Sequence, residues 1–140
     1  MSISTDLKTH LEAQAGITNL VSTRIYGIKR PQKTRTLPAI TYERLSGGHD
    51  HTLSSAAGSA MPRFRIHCWA TTYVGADTLA EAVRNEMQGF SGAMGSTTTQ
   101  SVILEDESDE YEDPEDASDQ GVFGIALDYL IRYVESLPTL

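Results

Sequence analysis

The stretch Pro62-Arg-Phe-Arg-Ile-His-Cys-Trp-Ala70, followed at once by Thr71-Thr-Tyr-Val-Gly-Ala-Asp-Thr-Leu-Ala-Glu-Ala-Val-Arg-Asn-Glu-Met-Gln88, changes its hydrophobic period in mid-course. In the first part Phe64, Ile66, Cys68 and Ala70 alternate with Arg63, Arg65, His67 and Trp69, which is the period of a half-buried strand. In the second part Ala76, Leu79, Ala80, Val83 and Met87 recur at three- and four-residue steps while Glu81, Arg84, Asn85 and Gln88 fall opposite. That is an amphipathic helix, stopped by Gly89. A strand leading straight into a helix that folds back over it makes a two-layer core, on which the other strands can dock.

Downstream, Gly89 to Ser96 reads as a flexible connection, and Val102-Ile-Leu104 opens a strand that runs into an acidic stretch broken by Pro114. Val122 to Val134 then alternates over about a dozen residues, with Phe123, Ile125, Leu127, Tyr129, Ile131 and Tyr133 on one face and Gly124, Ala126, Asp128 and Arg132 on the other. This is the strongest strand signal in the chain, and the two strands flanking the acidic stretch are expected to pair as a hairpin. Upstream, Ala39 to Leu45 alternates as a second strand, with Pro38 where a strand start tolerates proline. Arg24 to Ile28 reads as a short strand. Thr5 to Ala15, with Leu7, Leu11 and Ala15 four residues apart, reads as a helix capped by Ser4 or Thr5 and stopped by Gly16. The expected fold is α+β, a mainly antiparallel β-sheet with helices packed on one face in the order α-β-β-β-α-β-β. It forms one domain over residues 1–140, with flexible loops at 46–61 and 105–120.

The net charge of -8 is concentrated in one place. Glu105 to Asp119 holds ten carboxylates and no cation, so the remainder carries nine acids against eleven bases. A groove that grips nucleic acid needs the opposite sign, which argues against sequence-reading DNA binding. No apolar run approaches the roughly 20 residues of a membrane span, and the N-terminus lacks a secretory pattern. The single Cys68 reads as a small core residue. Five of the eleven cations, Arg24, Lys29, Arg30, Lys33 and Arg35, lie within twelve residues. They read as a solvated loop or as a docking surface for an acidic partner.

A search for chemistry finds no convergent site. The glycine pairs at Gly89 and Gly92 and at Gly121 and Gly124 lack the spacing and lysine of a phosphate loop, and Ser91 stands in no nucleophile elbow. His67, next to Cys68 in sequence, points to the other side of the strand, so no thiol-imidazole pair forms. His49-Asp50-His51 is the metal-like spacing, but two imidazoles on a glycine-flanked loop fall short of a preformed site. The acidic stretch lacks the glycine and closing glutamate of an EF-hand. No catalytic, cofactor or metal site is expected.

Arg24-Ile-Tyr26, Pro38-Ala-Ile-Thr-Tyr42, the strand ending Cys68-Trp-Ala70, the helix from Ala76 to Arg84 and Leu127-Asp-Tyr129 stand in an order and spacing that resemble the tail terminator, or tail-completion, proteins of long-tailed phages and gene transfer agents. The likeness runs from Leu7 to Val134 and leaves out the acidic insert and the His-bearing loop. The resemblance implies a virion tail or neck protein without catalytic activity or cofactor, assembled in the host cytoplasm. Such a protein forms a homo-oligomeric, hexameric ring that caps the tail tube protein, ends tube polymerisation and joins the head-tail connector protein, while DNA passes through without specific binding. Lys29, Arg30, Lys33, Arg35, His49 and His51 are then candidates for subunit or tube contacts, and a long terminal strand with an uncovered edge is a candidate for pairing with a neighbour. Glu105, Asp106, Glu107, Asp109, Glu110, Glu112 and Asp113 are candidates for a channel-facing acidic loop that repels phosphates. A head-tail connector of the same kind of particle would share this body, and a divalent-cation-binding module would use the acidic loop instead.

Overall fold

The alternating apolar positions of the last strand set the frame. In the computed structural model, which describes residues 3–30, 36–47, 49–51, 56–113 and 121–134 and for 49–51 and 56–59 the backbone alone, that strand lies at the centre of the sheet. The elements are α1 (Ile3–Glu12), α2 (Ala15–Val21), β1 (Ile25–Gly27), β2 (Ala39–Ser46), β3 (His49–His51), β4 (Ala56–Ala60), β5 (Arg63–Ala70), α3 (Tyr73–Met87), β6 (Gly92–Met94), β7 (Thr97–Glu112) and β8 (Val122–Val134). Across its middle the sheet runs β1-β2-β5-β8-β7-β6, and every pairing is antiparallel except β1 with β2. The α+β class, the antiparallel sheet and the order of its main elements are as the sequence predicts.

Period two decides which face is covered. Ile40 on β2, Phe64, Ile66 and Cys68 on β5, Val102 on β7 and Ile125, Leu127, Tyr129 and Ile131 on β8 share one face and are buried against the helices. α3 brings Ala76, Leu79, Ala80, Val83 and Met87 to this core, all buried as their spacing predicts. Its N-cap is Thr72, whose Oγ1 accepts the Gly75 N–H at 3.0 Å, a contact of about 1 kcal/mol. Gly89 does end the helix: its φ of 75° is the left-handed conformation glycine adopts freely, and it aims its N–H at the Val102 carbonyl, 3.0 Å away.

Several boundaries differ from the sequence reading. The first helix breaks at Ala13 and Gln14, and Gly16 lies inside α2 rather than ending α1, because Ile17 and Val21 carry enough apolar surface to bury a second short helix. β8 has no uncovered edge, since β5 and β4 pair along one side and β7 along the other. The stretch after Gly89 contains β6, which pairs with the start of β7 and buries Met94. Within the expected loop 46–61, β3 and β4 form a hairpin that prolongs β2 and β5, with His49 opposite Ala60 and His51 opposite Ala56.

The largest correction concerns the acidic stretch. Residues Glu105 to Glu112 are strand, not loop, and Asp106 to Glu112 pair with Asp128 to Val122. Backbone ladder bonds to a buried partner strand hold them there despite their charge, while 114–120 lie outside the described residues. Two long hairpins result. β3 and β4 reach past the Val134 end of β8, whereas β7 and β8 turn at the Val122 end.

Candidate functional site

The sheet face turned away from the helices carries Arg63, Arg65, His67 and Trp69 from β5, Thr41 and Glu43 from β2, and Gly124, Ala126 and Asp128 from β8. Glu110 and Glu112 come from β7. Small residues in the central strand make this arrangement possible. A β-carbon placed on Gly124 would lie 2.6 Å from Trp69 Cζ3 and 2.9 Å from Glu110 Cγ, so the indole lies across the backbone of β8. Its Nε1 donates to Thr41 Oγ1 at 3.0 Å, which fixes the ring from the other side.

His67 lies parallel to that ring, with centroids 5.4 Å apart and planes 5° off parallel. Its Nδ1 is 2.5 Å from Glu110 Oε1 and its Nε2 2.9 Å from Glu43 Oε1. Burial alone would push the imidazole pKa down. The two carboxylates outweigh it and raise the pKa above the ordinary 6.5, so the charged form is favoured. Arg30 closes the column, its guanidinium 5.1 Å from the Trp69 ring centre and 2.9 and 3.1 Å from the two Glu112 oxygens. Beside it Arg65 grips Asp128 with two parallel bonds of 2.7 and 3.0 Å, and Arg63 meets Glu105 at 2.9 Å.

The acidic strand is therefore partly neutralised. On the helix-side face Arg84 pairs with Glu107, and Tyr73 Oη donates to Asp109 Oδ2 at 2.9 Å. Of the seven carboxylates proposed to line a channel, Glu105, Glu107, Asp109, Glu110 and Glu112 are held by side chains of their own subunit. Asp106 and Asp113 have no such partner among the described residues. Seven carboxylates against three guanidinium groups and the His67 imidazole still leave the acidic strand anionic.

The candidate contact residues are scattered. Lys29 is exposed, while Arg30 is committed to Glu112 and Trp69. Lys33 and Arg35 lie outside the described residues, and His49 and His51 have described backbone in β3 but no described side chains. Among the described residues no cluster of three or more His, Cys, Asp or Glu is placed to hold a metal. The Cys68 thiol is fully buried and its pKa is pushed up by desolvation, in keeping with a core position. The ion-paired column was missed by the sequence reading. Its signal was the pairing of bulky polar residues at 63, 65, 67 and 69 with small or acidic ones at 124, 126 and 128.

Residues 5–133 match the family described as tail completion protein gp17. The chain belongs to the tail completion protein gp17 family. As a member it is a structural protein of the virion tail or neck, and no helix among its described residues is long and apolar enough to cross a membrane. A chain in the solved structure titled "Virion of native gene transfer agent (GTA) particle" has the same fold, with a TM-score of 0.72 over 95% of each chain at 17% identity. No curated protein matches this tail completion family member. The helix-free face is a set of charge pairs that ties β5, β8 and β7 together and fixes a pattern of charge on the sheet.

Proposed function

We propose that this tail completion protein assembles into a closed, hexameric ring on the end of the tail tube. The ring ends tube polymerisation and presents its far side to the head connector. The family match over residues 5–133 carries the reading. Two features support it physically. The hairpins at opposite ends of the sheet give one subunit two separate reaching surfaces, as a ring that must touch a tube on one side and a connector on the other requires. The ion pairs across β5, β8 and β7 stiffen the sheet between them, so the two surfaces keep their relative orientation.

The anionic β7–β8 hairpin, with Asp106 and Asp113 at its unpaired positions, is the proposed channel lining. Repulsion of phosphates there is short-ranged, about 8 Å at physiological salt, and leaves a passing duplex nothing to bind. The test is direct: purified protein is mixed with isolated tail tubes and tube protein, and the ends are imaged by negative stain. The expected result is a ring with an open centre at one end and no further growth there. Tubes that keep elongating in its presence would overturn the reading.

A further inference from the structure

We propose that Ile28 is the anchor by which one subunit of the ring holds the next, docking on the exposed patch of Tyr73, Val74 and Tyr111 of a second copy of this chain. The inference rests on the ring reading above and gives that ring its contact.

Ile28 follows β1 in a three-residue turn: the Lys29 N–H donates to the Gly27 carbonyl at 2.8 Å, and the Ile28 N–H donates to the Tyr42 carbonyl at 2.8 Å. The turn holds Ile28 at φ 68°, the left-handed region that a β-branched side chain adopts only under strain. Burial does not offset that strain, because the side chain is 75% exposed. Glycine or asparagine would make the same turn without it. Among the described residues of one subunit, then, nothing explains the choice of isoleucine. What the turn provides is an apolar knob held rigidly outward, and such an anchor loses little freedom when it is buried by a partner.

The receiving surface lies toward the opposite edge of the sheet from β1, at the start of α3 and on β7. Val74 is also 75% exposed, which makes it and Ile28 the two most exposed large apolar side chains among the described residues. Next to it stand Tyr73, 47% exposed, and Tyr111, 53% exposed. The bond from Tyr73 to Asp109 draws the first turn of α3 onto β7, and Tyr111, two residues along the same face, packs on Phe123 with ring centres 5.0 Å apart. Charge argues for a second copy as the occupant. The knob opens the run from Lys29 to Arg35, which holds four of the eleven cations of the chain, one of them, Arg30, already paired with Glu112 of its own subunit, whereas the patch is built on the acidic strand beside Asp109. β1 and β7 are separated by β2, β5 and β8, and the Arg30 side chain that bridges them runs over the helix-free face, whereas Tyr111 stands on the helix-side face. A knob and a patch on different parts of the subunit surface allow a head-to-tail contact, the kind that closes into rings.

Two variants test the contact. Ile28→Asn should raise the thermal unfolding midpoint of the subunit by relieving the strain, and it should weaken self-association about tenfold to a hundredfold by light scattering. Ile28→Cys combined with Val74→Cys should give inter-chain products with a short thiol cross-linker, in a background where Cys68 is buried and unreactive. Wild-type protein that stays monomeric, both free and on tail tubes, removes the ring reading and this contact with it. Wild-type rings that form equally well with Ile28→Asn remove the contact alone. Weakened association of Ile28→Asn with no cross-linked product from the double-cysteine variant overturns the assignment of the receiving patch.

Discussion

His67 Nδ1 lies 2.5 Å from Glu110 Oε1, and this bond ties β5 to β7 across the backbone of β8. Because the folded pKa of His67 is raised above 6.5, its pairing with Glu110 and Glu43 contributes fully below pH 6.5 and is lost as pH rises through the raised value. The expected outcome for His67→Gln is a loss of about 1–2 kcal/mol below that pH and a much smaller loss well above it. His10 works in the opposite sense, since burial lowers its pKa and its protonation penalises the fold as pH falls below 6.5. The measurement is therefore the difference between wild type and variant in urea unfolding at each pH, in which the His10 contribution cancels.

Gly124 is required for space rather than for backbone freedom, because Trp69 and Glu110 already occupy the volume its side chain would fill. Gly124→Val should displace the indole, break its bond to Thr41 and cost about 1–3 kcal/mol. Loss of stability together with a changed fluorescence spectrum of Trp69, the single tryptophan, checks this. An unchanged spectrum would mean the ring does not lie where Gly124 permits it.

Asp6 joins the first helix to the turn between β6 and β7. Its carboxylate is fully buried and accepts from the Ser96 N–H at 3.3 Å, from Ser96 Oγ at 3.1 Å and from Thr97 Oγ1. Desolvation would raise its pKa, but these donors outweigh it and hold the value below 3.8. A depressed carboxylate contributes stability above its unfolded pKa and loses it as pH falls through the folded value. Asp6→Ala should cost about 1–3 kcal/mol at neutral pH, and the difference from wild type should shrink in strong acid, as chemical unfolding in acid and at neutrality would reveal.

Tyr129 is buried at the centre of the core, and its hydroxyl has no hydrogen-bond partner among the described residues. Desolvation pushes its pKa up, so it stays neutral at any working pH. A buried, unpaired hydroxyl carries a desolvation cost that phenylalanine lacks. Tyr129→Phe should leave stability unchanged or raise it by up to about 1 kcal/mol, measured as the thermal midpoint. A clear loss would show that the hydroxyl is bonded after all.

Residues 63–70 and 122–134 announced their strands, and 73–87 its helix, because in each case one face is apolar at a fixed period and periodicity is a property of neighbours in sequence. The buried set Phe64, Ile66, Cys68, Leu79, Val83, Leu127 and Tyr129 follows from those periods alone. The edges of the fold were harder. Residues 105–112 show no apolar alternation, and their strand is held by backbone bonds to β8 and by cations that the chain supplies from elsewhere. Arg84 is 23 positions from Glu107, His67 is 43 from Glu110, and Arg30 is 82 from Glu112. The strained turn at Ile28 was likewise invisible, since a left-handed isoleucine contradicts its own local preference and is held by the bonds from Lys29 to Gly27 and from Ile28 to the distant Tyr42.

Sequence by itself determined the α+β class and the apolar layer between helices and sheet, because burial of one face per element is written in local spacing. Tertiary structure alone decided that the acidic stretch is a paired strand, that Trp69 crosses Gly124 and that Ile28 points outward. Each of those depends on which distant groups arrive to neutralise a charge, leave a gap or pin a turn, and residue order does not encode such meetings locally.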